Sequence, residues 1–464
     1  MAVEARAVIT LERLVPLAVL ALVAGTASAH PALAQAPTST AASVALPADG
    51  ARPITLDDAV RLAQRNSPLA VQARGQERTA RAAVRSAYAA FVPTVSVSLG
   101  STRQFSSGST RIGQNGEVIT VAENPWTYNS GLSLGVDLFD GGRRLYDIGA
   151  SRADVSAAEA NDVSQRFGIA LSVSEQYYAA LAARESEAAA RAQLEQAEQQ
   201  LRASVTRLAA GAATRSDSLR SVILVGNARL ALLTARNDLN VANAALTRLV
   251  GSDSLVTATP GDTAAESFTV PADTAQLFAL ADEGPAIRQA EASLRAARAN
   301  RRAARAPYLP TISASYSRGG SGTDPRYGLG DDPYNYNGAL RFGLSYPLFN
   351  QLGREEDVVR ADVAEDVAQA TLRDTRLQAR QSLTQYLGAL QTAQQRVAIQ
   401  GASVAAAEED LRVQQQRYQL GASTLLDVLT SQTQLDQARA ELIAARLDYR
   451  VARAQIEALI GRRL

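Results

Sequence analysis

The sequence predicts a mainly α-helical fold that carries a transmembrane β-sheet and is built as an internal duplication. Three observations lead there. Segments recur at fixed offsets, four short stretches switch from helical to period-two patterning, and two helical patterns run for roughly 65 to 70 residues, or ~100 Å at 1.5 Å per residue.

Composition narrows the chemistry first. The chain has 464 residues, 47 basic against 46 acidic, one His and no Cys, and every basic residue is arginine. Without lysine there is no phosphate loop of the GxxxxGK[ST] type and no Schiff base; without cysteine there is no thiolate, disulfide or Cys-based zinc site. A net charge of +1 provides no field to gather nucleic acid. Hydrophobic residues at 46% with only 5% aromatic suit long packed helices rather than thick cores.

Residues 1–34 read as a secretory signal peptide. Arg6 and Arg13 precede an apolar run from Leu14 to Ala24, and the small-residue patterns predict cleavage after Ala29 or Ala34. The run is shorter than the ~20 residues a spanning helix needs. His30 is then removed or left at a frayed end, so no metal or catalytic role falls to it. Residues 35–53 form an N-terminal extension.

The first repeat covers 54–251 and the second 271–461, with a linker at 252–270. Phe91-Val92-Pro93-Thr94 recurs as Tyr308-Leu309-Pro310-Thr311, an offset of 217, while Leu138-Phe139, Gly211 and Gly251 recur as Leu348-Phe349, Gly421 and Gly461, an offset of 210. The seven-residue difference falls between two strands, as a variable surface loop would.

Each repeat reads helix, strand, loop, strand, long helix, turn, helix. The first helix begins after Thr55, whose hydroxyl can cap it with Asp58 reaching back, and runs toward Val92, where Pro93 stops it. Strands follow at about 94–103 and 128–139, and again at 311–318 and 338–349. Val95, Val97 and Leu99 alternate with Ser96 and Ser98, and Leu132, Leu134, Val136 and Leu138 alternate with small or polar residues. That length and pattern match strands of a membrane barrel. The loops 104–127 and 318–337 are rich in Gly, Asn, Ser and Pro. Aromatics at both strand ends, Trp126, Tyr128 and Tyr334 at one and Phe139, Tyr308 and Phe349 at the other, suggest interfacial girdles. Four strands cannot close a barrel, and open edges are forbidden in lipid, so the chain must oligomerise; a trimer of twelve strands and a dimer of eight both satisfy the arithmetic.

The return helices carry unbroken heptads. Val428, Ser431, Leu435, Ala438, Leu442, Ala445, Tyr449, Ala452, Ile456 and Leu459 repeat a seam found 210 residues earlier from Ser218 to Leu249. A strict seven-residue period imposes a left-handed supercoil.

Taken together, Ile54-Thr55-Leu56-Asp57-Asp58-Ala59-Val60, Asn66-Ser67-Pro68, Leu138-Phe139-Asp140-Gly141-Gly142-Arg143, Pro347-Leu348-Phe349-Asn350-Gln351-Leu352-Gly353-Arg354 and the segment from Arg417 to Leu429 make the chain resemble TolC-type outer-membrane efflux proteins, over residues 54–461. The resemblance implies a homotrimer with a twelve-stranded barrel, four strands per chain, on a long periplasmic α-helical coiled-coil tunnel. It also implies docking to a periplasmic adaptor and an inner-membrane pump of the RND or ABC type, in efflux or type I secretion, with no enzyme activity, no cofactor and no nucleic-acid partner.

By the same resemblance, Gly211, Ala212, Gly421 and Ala422 match the turns where such proteins meet an adaptor. Asp427 matches the constricting aspartate of the periplasmic gate, and Asp217, Ser216 and Tyr418 match polar links that hold it closed. Two departures stand out: Ser423 replaces an arginine and Thr430 a second aspartate of those links, so closure uses other contacts, with Arg215 and Arg220 as candidates. Thr214 with Asp217 and Thr424 with Asp427 also fit capping boxes. The expected function is a passive export duct in the outer membrane, extending into the periplasm; the competing reading is a soluble periplasmic coiled-coil adaptor or scaffold.

Overall fold

The computed structural model describes residues 51–104, 110–112, 118–120, 126–211, 214–259, 274–324 and 335–464. The signal segment 1–34, nearly all of the 35–53 extension, most of the 252–270 linker, Ala212 and Tyr334 lie outside the described residues.

The first repeat opens with β1 (Arg52–Ile54), α1 (Leu56–Asn66) and α2 (Pro68–Ala89). A single helix from Thr55 to Val92 was the expectation; the chain breaks it at Ser67, whose ψ of 133° is the extended geometry a following proline enforces, and Pro68 starts α2. Thr55 caps α1 as anticipated, accepting from the Asp58 amide at 3.2 Å. Then come β2 (Thr94–Arg103), the short hairpin β3 (Thr110–Ile112) and β4 (Val118–Thr120), β5 (Trp126–Asp140), α3 (Arg143–Ala209), α4 (Arg215–Val250) and β6 (Val256–Ala258), which pairs in parallel with β1. The second repeat gives α5 (Thr274–Ala281), α6 (Pro285–Ala304), β7 (Thr311–Asp324), β8 (Asn335–Ser345), α7 (Gly353–Gln419) and α8 (Leu425–Ile460). Both long helices, α3 and α7, have 67 residues, and both return helices, α4 and α8, have 36.

The four long strands form one antiparallel sheet in the order β2-β5-β7-β8. Register places Val95, Leu134, Tyr316 and Leu340 in one row of one face, with Val97 and Leu132 beside them. The opposite face carries Ser96, Ser98, Ser133, Ser313, Ser315 and Arg341, and the Ser96 and Ser133 hydroxyls lie 2.6 Å apart. Four strand boundaries differ clearly from the expected ones, the first being that β8 starts at Asn335 and not at about 338. β7 runs six residues past Arg318, because Gly320 gives the Tyr336 ring room to lie across the strand; a Cβ there would sit 2.8 Å from that ring. β5 starts at Trp126. β8 ends at Ser345, before Pro347, so Phe349 follows the strand instead of closing it. A bulge between Asp137 and Phe139 breaks the expected alternation: Phe139, not Leu138, pairs with Ile312 in the apolar row.

Each strand-to-helix passage turns through the left-handed region, at Gly141 and Gly142 in the first repeat and at Gln351 and Leu352 in the second. An arginine locks each. Arg144 bonds Asp140 at 2.9 Å and stacks on Phe91, 4.6 Å from its centroid, while Arg354 stacks on Tyr308 at 5.0 Å.

Below the sheet, α3 packs against α2 and α4 and against α6 and α8, and α7 packs against α6 and α8. The lateral order is therefore α2/α4, α3, α6/α8, α7, with two short helices following each other along one long one. The heptad seams are the contact surfaces. Val428, Ser431, Leu435, Tyr449 and Ile456 are buried on α8, and Ser221, Val225, Ala228, Leu232 and Leu246 on α4. Between α3 and α8, Asp436 accepts from Gln193 at 2.6 Å and from Gln432 at 2.9 Å. Burial pushes its carboxyl above the ordinary aspartate value, against the opposing pull of those bonds and of Arg439.

Arginine at Val97 or Leu134, on the apolar face, should cost ~2 to 4 kcal/mol near the bilayer midplane and reduce outer-membrane trimer, whereas arginine at Ser98 or Ser133 should be tolerated. Heat-modifiable trimer on gels reads the difference; equal yields would reverse the facing. A raised Asp436 pKa means the ionised form opposes folding, so stability falls as pH rises through that pKa. Asp436→Asn should therefore raise the trimer melting temperature at pH 7, and the gain should vanish as the medium is acidified below it.

Candidate functional site at the helical tip

Two turns close the end of the helical layer remote from the sheet. In the second, α7 stops in a Schellman arrangement: Gly421 adopts φ 73°, its amide bonds the Tyr418 carbonyl at 3.2 Å, and the Ala422 amide bonds the Arg417 carbonyl at 2.8 Å. The first turn repeats this at Gly211, with φ 71° and a 3.0 Å bond to the Leu208 carbonyl. A Cβ at either glycine would meet nothing within 4 Å, so backbone conformation and not crowding selects glycine. Gly211, Gly421 and Ala422 are exposed, and Leu420 beside them is 84% exposed.

The return helices begin with matched capping boxes. Thr214 and Thr424 accept from the Asp217 and Asp427 amides, and one carboxylate oxygen of each aspartate takes both the threonine amide and its hydroxyl, at 2.7 to 3.0 Å. These bonds hold both carboxyls below the usual range. For Asp217 the Thr214 hydroxyl is the leading cause and Arg220 a minor one; for Asp427 the Thr424 amide leads and Arg417 is minor. Each aspartate is thus a cap that keeps its charge, near solvent, at the end of the molecule.

Tyr418 is not joined to either aspartate. Arg207, in the last turn of α3, lies over its ring at 4.7 Å and donates to its backbone carbonyl at 3.5 Å. Ser423 bonds the Gln414 carbonyl at 3.4 Å and Thr430 the Leu426 carbonyl at 2.9 Å, so both residues act within their own hairpin. Ser216 is exposed on the first turn of α4. The residue missed from sequence is Arg207. Its signal was the duplication itself, since Arg207 and Arg417 stand 210 positions apart.

The rim aromatics divide. Phe139, Tyr308 and Phe349 are 41%, 40% and 75% exposed, and Trp126 is half-buried beside Arg103. Tyr128, expected on an exposed girdle, is 9% exposed: it stands on a central strand of the sheet opposite Ser101 and Gly322, and its ring is covered within the chain.

Residues 59–252 and 279–462 match the family model described as outer membrane efflux protein. The chain is 28% identical over 417 residues to the pyoverdine export outer membrane protein OpmQ of Pseudomonas aeruginosa, covering 88% of this chain and 83% of that one. It is 27% identical over 337 residues to the outer membrane efflux protein BepC of Brucella suis, covering 70% and 71%. Among solved structures, the open-state MtrE outer membrane channel of Neisseria gonorrhoeae superposes with a TM-score of 0.69 at 21% identity, over 88% of this chain and 89% of that one. With both repeats matched by that family model, the chain belongs to the outer membrane efflux protein family.

Proposed function

We propose that this chain is the passive outer-membrane duct of a tripartite small-molecule exporter, docked by its tip turns to a periplasmic adaptor and through it to an inner-membrane pump. The carrying observation is a membrane-type sheet continuous with two helices of 67 residues, each about 100 Å long. Such a body reaches from a membrane deep into an adjoining aqueous compartment. The chain has no lysine with which to build a phosphate-binding loop, so in this reading the energy for export comes from the pump. The names of the relatives, efflux and pyoverdine export, favour small molecules over secreted protein as cargo. Crosslinking followed by co-purification tests the assembly: recovery of an adaptor and a pump with the trimer supports it, and monomer in the periplasmic extract would sink it.

The tip turns supply the docking points in this reading, with Gly211, Ala212, Gly421 and Ala422 meeting the adaptor. Gly421→Trp has open space for its ring but a strained φ, worth roughly 1 to 2 kcal/mol. It should leave heat-stable trimers and abolish export. Loss of the trimers instead would reduce Gly421 to a helix terminator.

Asp427 forms the gate in the same reading, three copies converging on the three-fold axis with Asp217 and Ser216 nearby. A ring of carboxylates attracts cations and is plugged by multivalent ones. Capping by Thr424 lowers the Asp427 pKa, whereas two further carboxylates on the axis would raise it, so the pH at which cation preference is lost on acidification reads which of the two prevails. Asp427→Asn should abolish both the preference and block by divalent cations in planar bilayers, whereas Thr424→Ala should weaken the cap and keep both. Unchanged selectivity in Asp427→Asn would leave the residue a cap alone.

A further inference from the structure

We propose that Arg318, with Tyr316 and Tyr336 beside it, forms a binding site on the outer wall of the barrel for the phosphate headgroup of an outer-leaflet lipid. The inference goes beyond the duct reading and shares with it only the outer-membrane location. Register puts Arg318 on the apolar face of the sheet, in one row with Val97, Leu132 and Gly338. The five rows of that face from Ile312 to Gly320 are otherwise apolar, small or tyrosine, as at Leu134, Phe342 and Leu344, and Arg318 is the one charged side chain in them. A charge on a lipid-facing wall is costly at the middle of the bilayer and cheap at its boundary, so depth decides what it can meet.

Ile312 and Phe139 share the row of this face nearest the helices, and β7 climbs from there toward the remote end of the sheet. Six residues at ~3.4 Å each, on a strand tilted by ~40°, place the Arg318 backbone ~16 Å above that row. The guanidinium leans further the same way. It stacks 5.0 Å from the centroid of Tyr336, which stands one row higher, opposite Gly320. That lifts the charge to ~21 Å, close to the upper limit of an apolar band ~25 Å tall, where lipid phosphates begin. Because the helices extend into the periplasm, this boundary belongs to the outer leaflet.

The surroundings form a notch floored by glycine. Gly320 is buried, and a Cβ on it would sit 2.8 Å from the Tyr336 ring, so that ring lies against bare backbone. Directly opposite Arg318, Gly338 leaves room for the Tyr316 ring, whose hydroxyl would come 3.7 Å from a Cβ there. The guanidinium and the Tyr316 hydroxyl thus border one patch of glycine backbone, and the Tyr336 ring fixes the arginine's orientation. A planar fork of N–H donors beside a hydroxyl is the chemistry that takes a phosphate through paired, charge-assisted hydrogen bonds, and lysine cannot match it. Arg341, opposite Ser315, lies on the other face and takes no part.

Native mass spectrometry of delipidated, full-length trimers tests the site, with lipopolysaccharide as the probe. Wild type should bind it in up to one copy per chain. A charge-assisted hydrogen bond corresponds to roughly 10- to 150-fold in affinity, so Arg318→Leu should weaken binding by that factor. Removing the phosphates of the lipid enzymatically should weaken its binding to wild type as much. Arg318→Lys and Tyr336→Leu should fall between. Arg318→Leu makes the wall more apolar and should keep the yield of heat-stable trimer; the dephosphorylated lipid tests the same contact without any variant. Intact lipopolysaccharide held as tightly by Arg318→Leu as by wild type, or wild type binding intact and dephosphorylated lipid alike, would overturn the site. Displacement of the lipid by inorganic phosphate at equal concentration would make this a free-anion site and overturn the lipid assignment. None of these outcomes touches the adaptor or the pump, whose absence from the crosslinked complex is what would overturn the duct reading.

Discussion

Hydrocarbon offers no partner to a backbone amide or carbonyl, and that constraint organises the whole molecule. The sheet ends at β2 on one side and β8 on the other, so a single chain in a membrane would expose two rows of unpaired groups. The helical layer is open on the same two flanks, α2 and α4 next to β2 and α7 next to β8. Those flanks are apolar: Leu219, Ile223, Leu230 and Leu233 stand exposed on α4, and Val359, Val363 and Val367 on α7. The homotrimer that the family implies would cover both edges and both flanks at once. Arg215–Val250, although it starts at the tip, is apolar enough by composition to cross a membrane, and 22% of its most apolar window is buried within the chain.

Within the chain, packing follows from the alternation of large and small residues along the seams. Ser221, Ala228, Ser431 and Ala452 are buried between larger Val, Leu, Tyr and Ile positions, so the helices approach closely and gently wind about each other. Two small hydroxyls in these seams are satisfied locally. Ser431 bonds Asp410 and Ser221 bonds the Asp217 carbonyl, which lets small hydroxyls serve as packing residues without a desolvation penalty.

Much of this was legible in the sequence because it rests on periodicity. The heptads, the glycine turns and the capping boxes are local patterns, and the four strands follow theirs except at their ends and at the bulge in β5. What escaped was decided by backbone geometry or by partners remote in sequence. The glycines after Arg318 look like a loop, and it is their pairing with β5 and β8 on either side that makes them strand. The bulge that exchanges Leu138 for Phe139 leaves no period-two signature. Arg207 finds Tyr418 across 211 positions, and nothing in either helix announces the pairing. Equally hidden was the divergence between duplicates, since Arg207 and Arg417 occupy matching positions and make unlike contacts.

The strand-to-helix passages bear on where the molecule can move. A left-handed residue with a side chain cannot swing far without crossing forbidden backbone space, whereas a glycine can; two successive residues adopt that conformation in each repeat, under a stacked arginine, and in the first repeat both are glycines. In the second repeat they are Gln351 and Leu352, which carry side chains and hold the bend against their own preference. The second passage is therefore the stiffer of the two, and any bending between sheet and helices falls on the glycine pair of the first repeat.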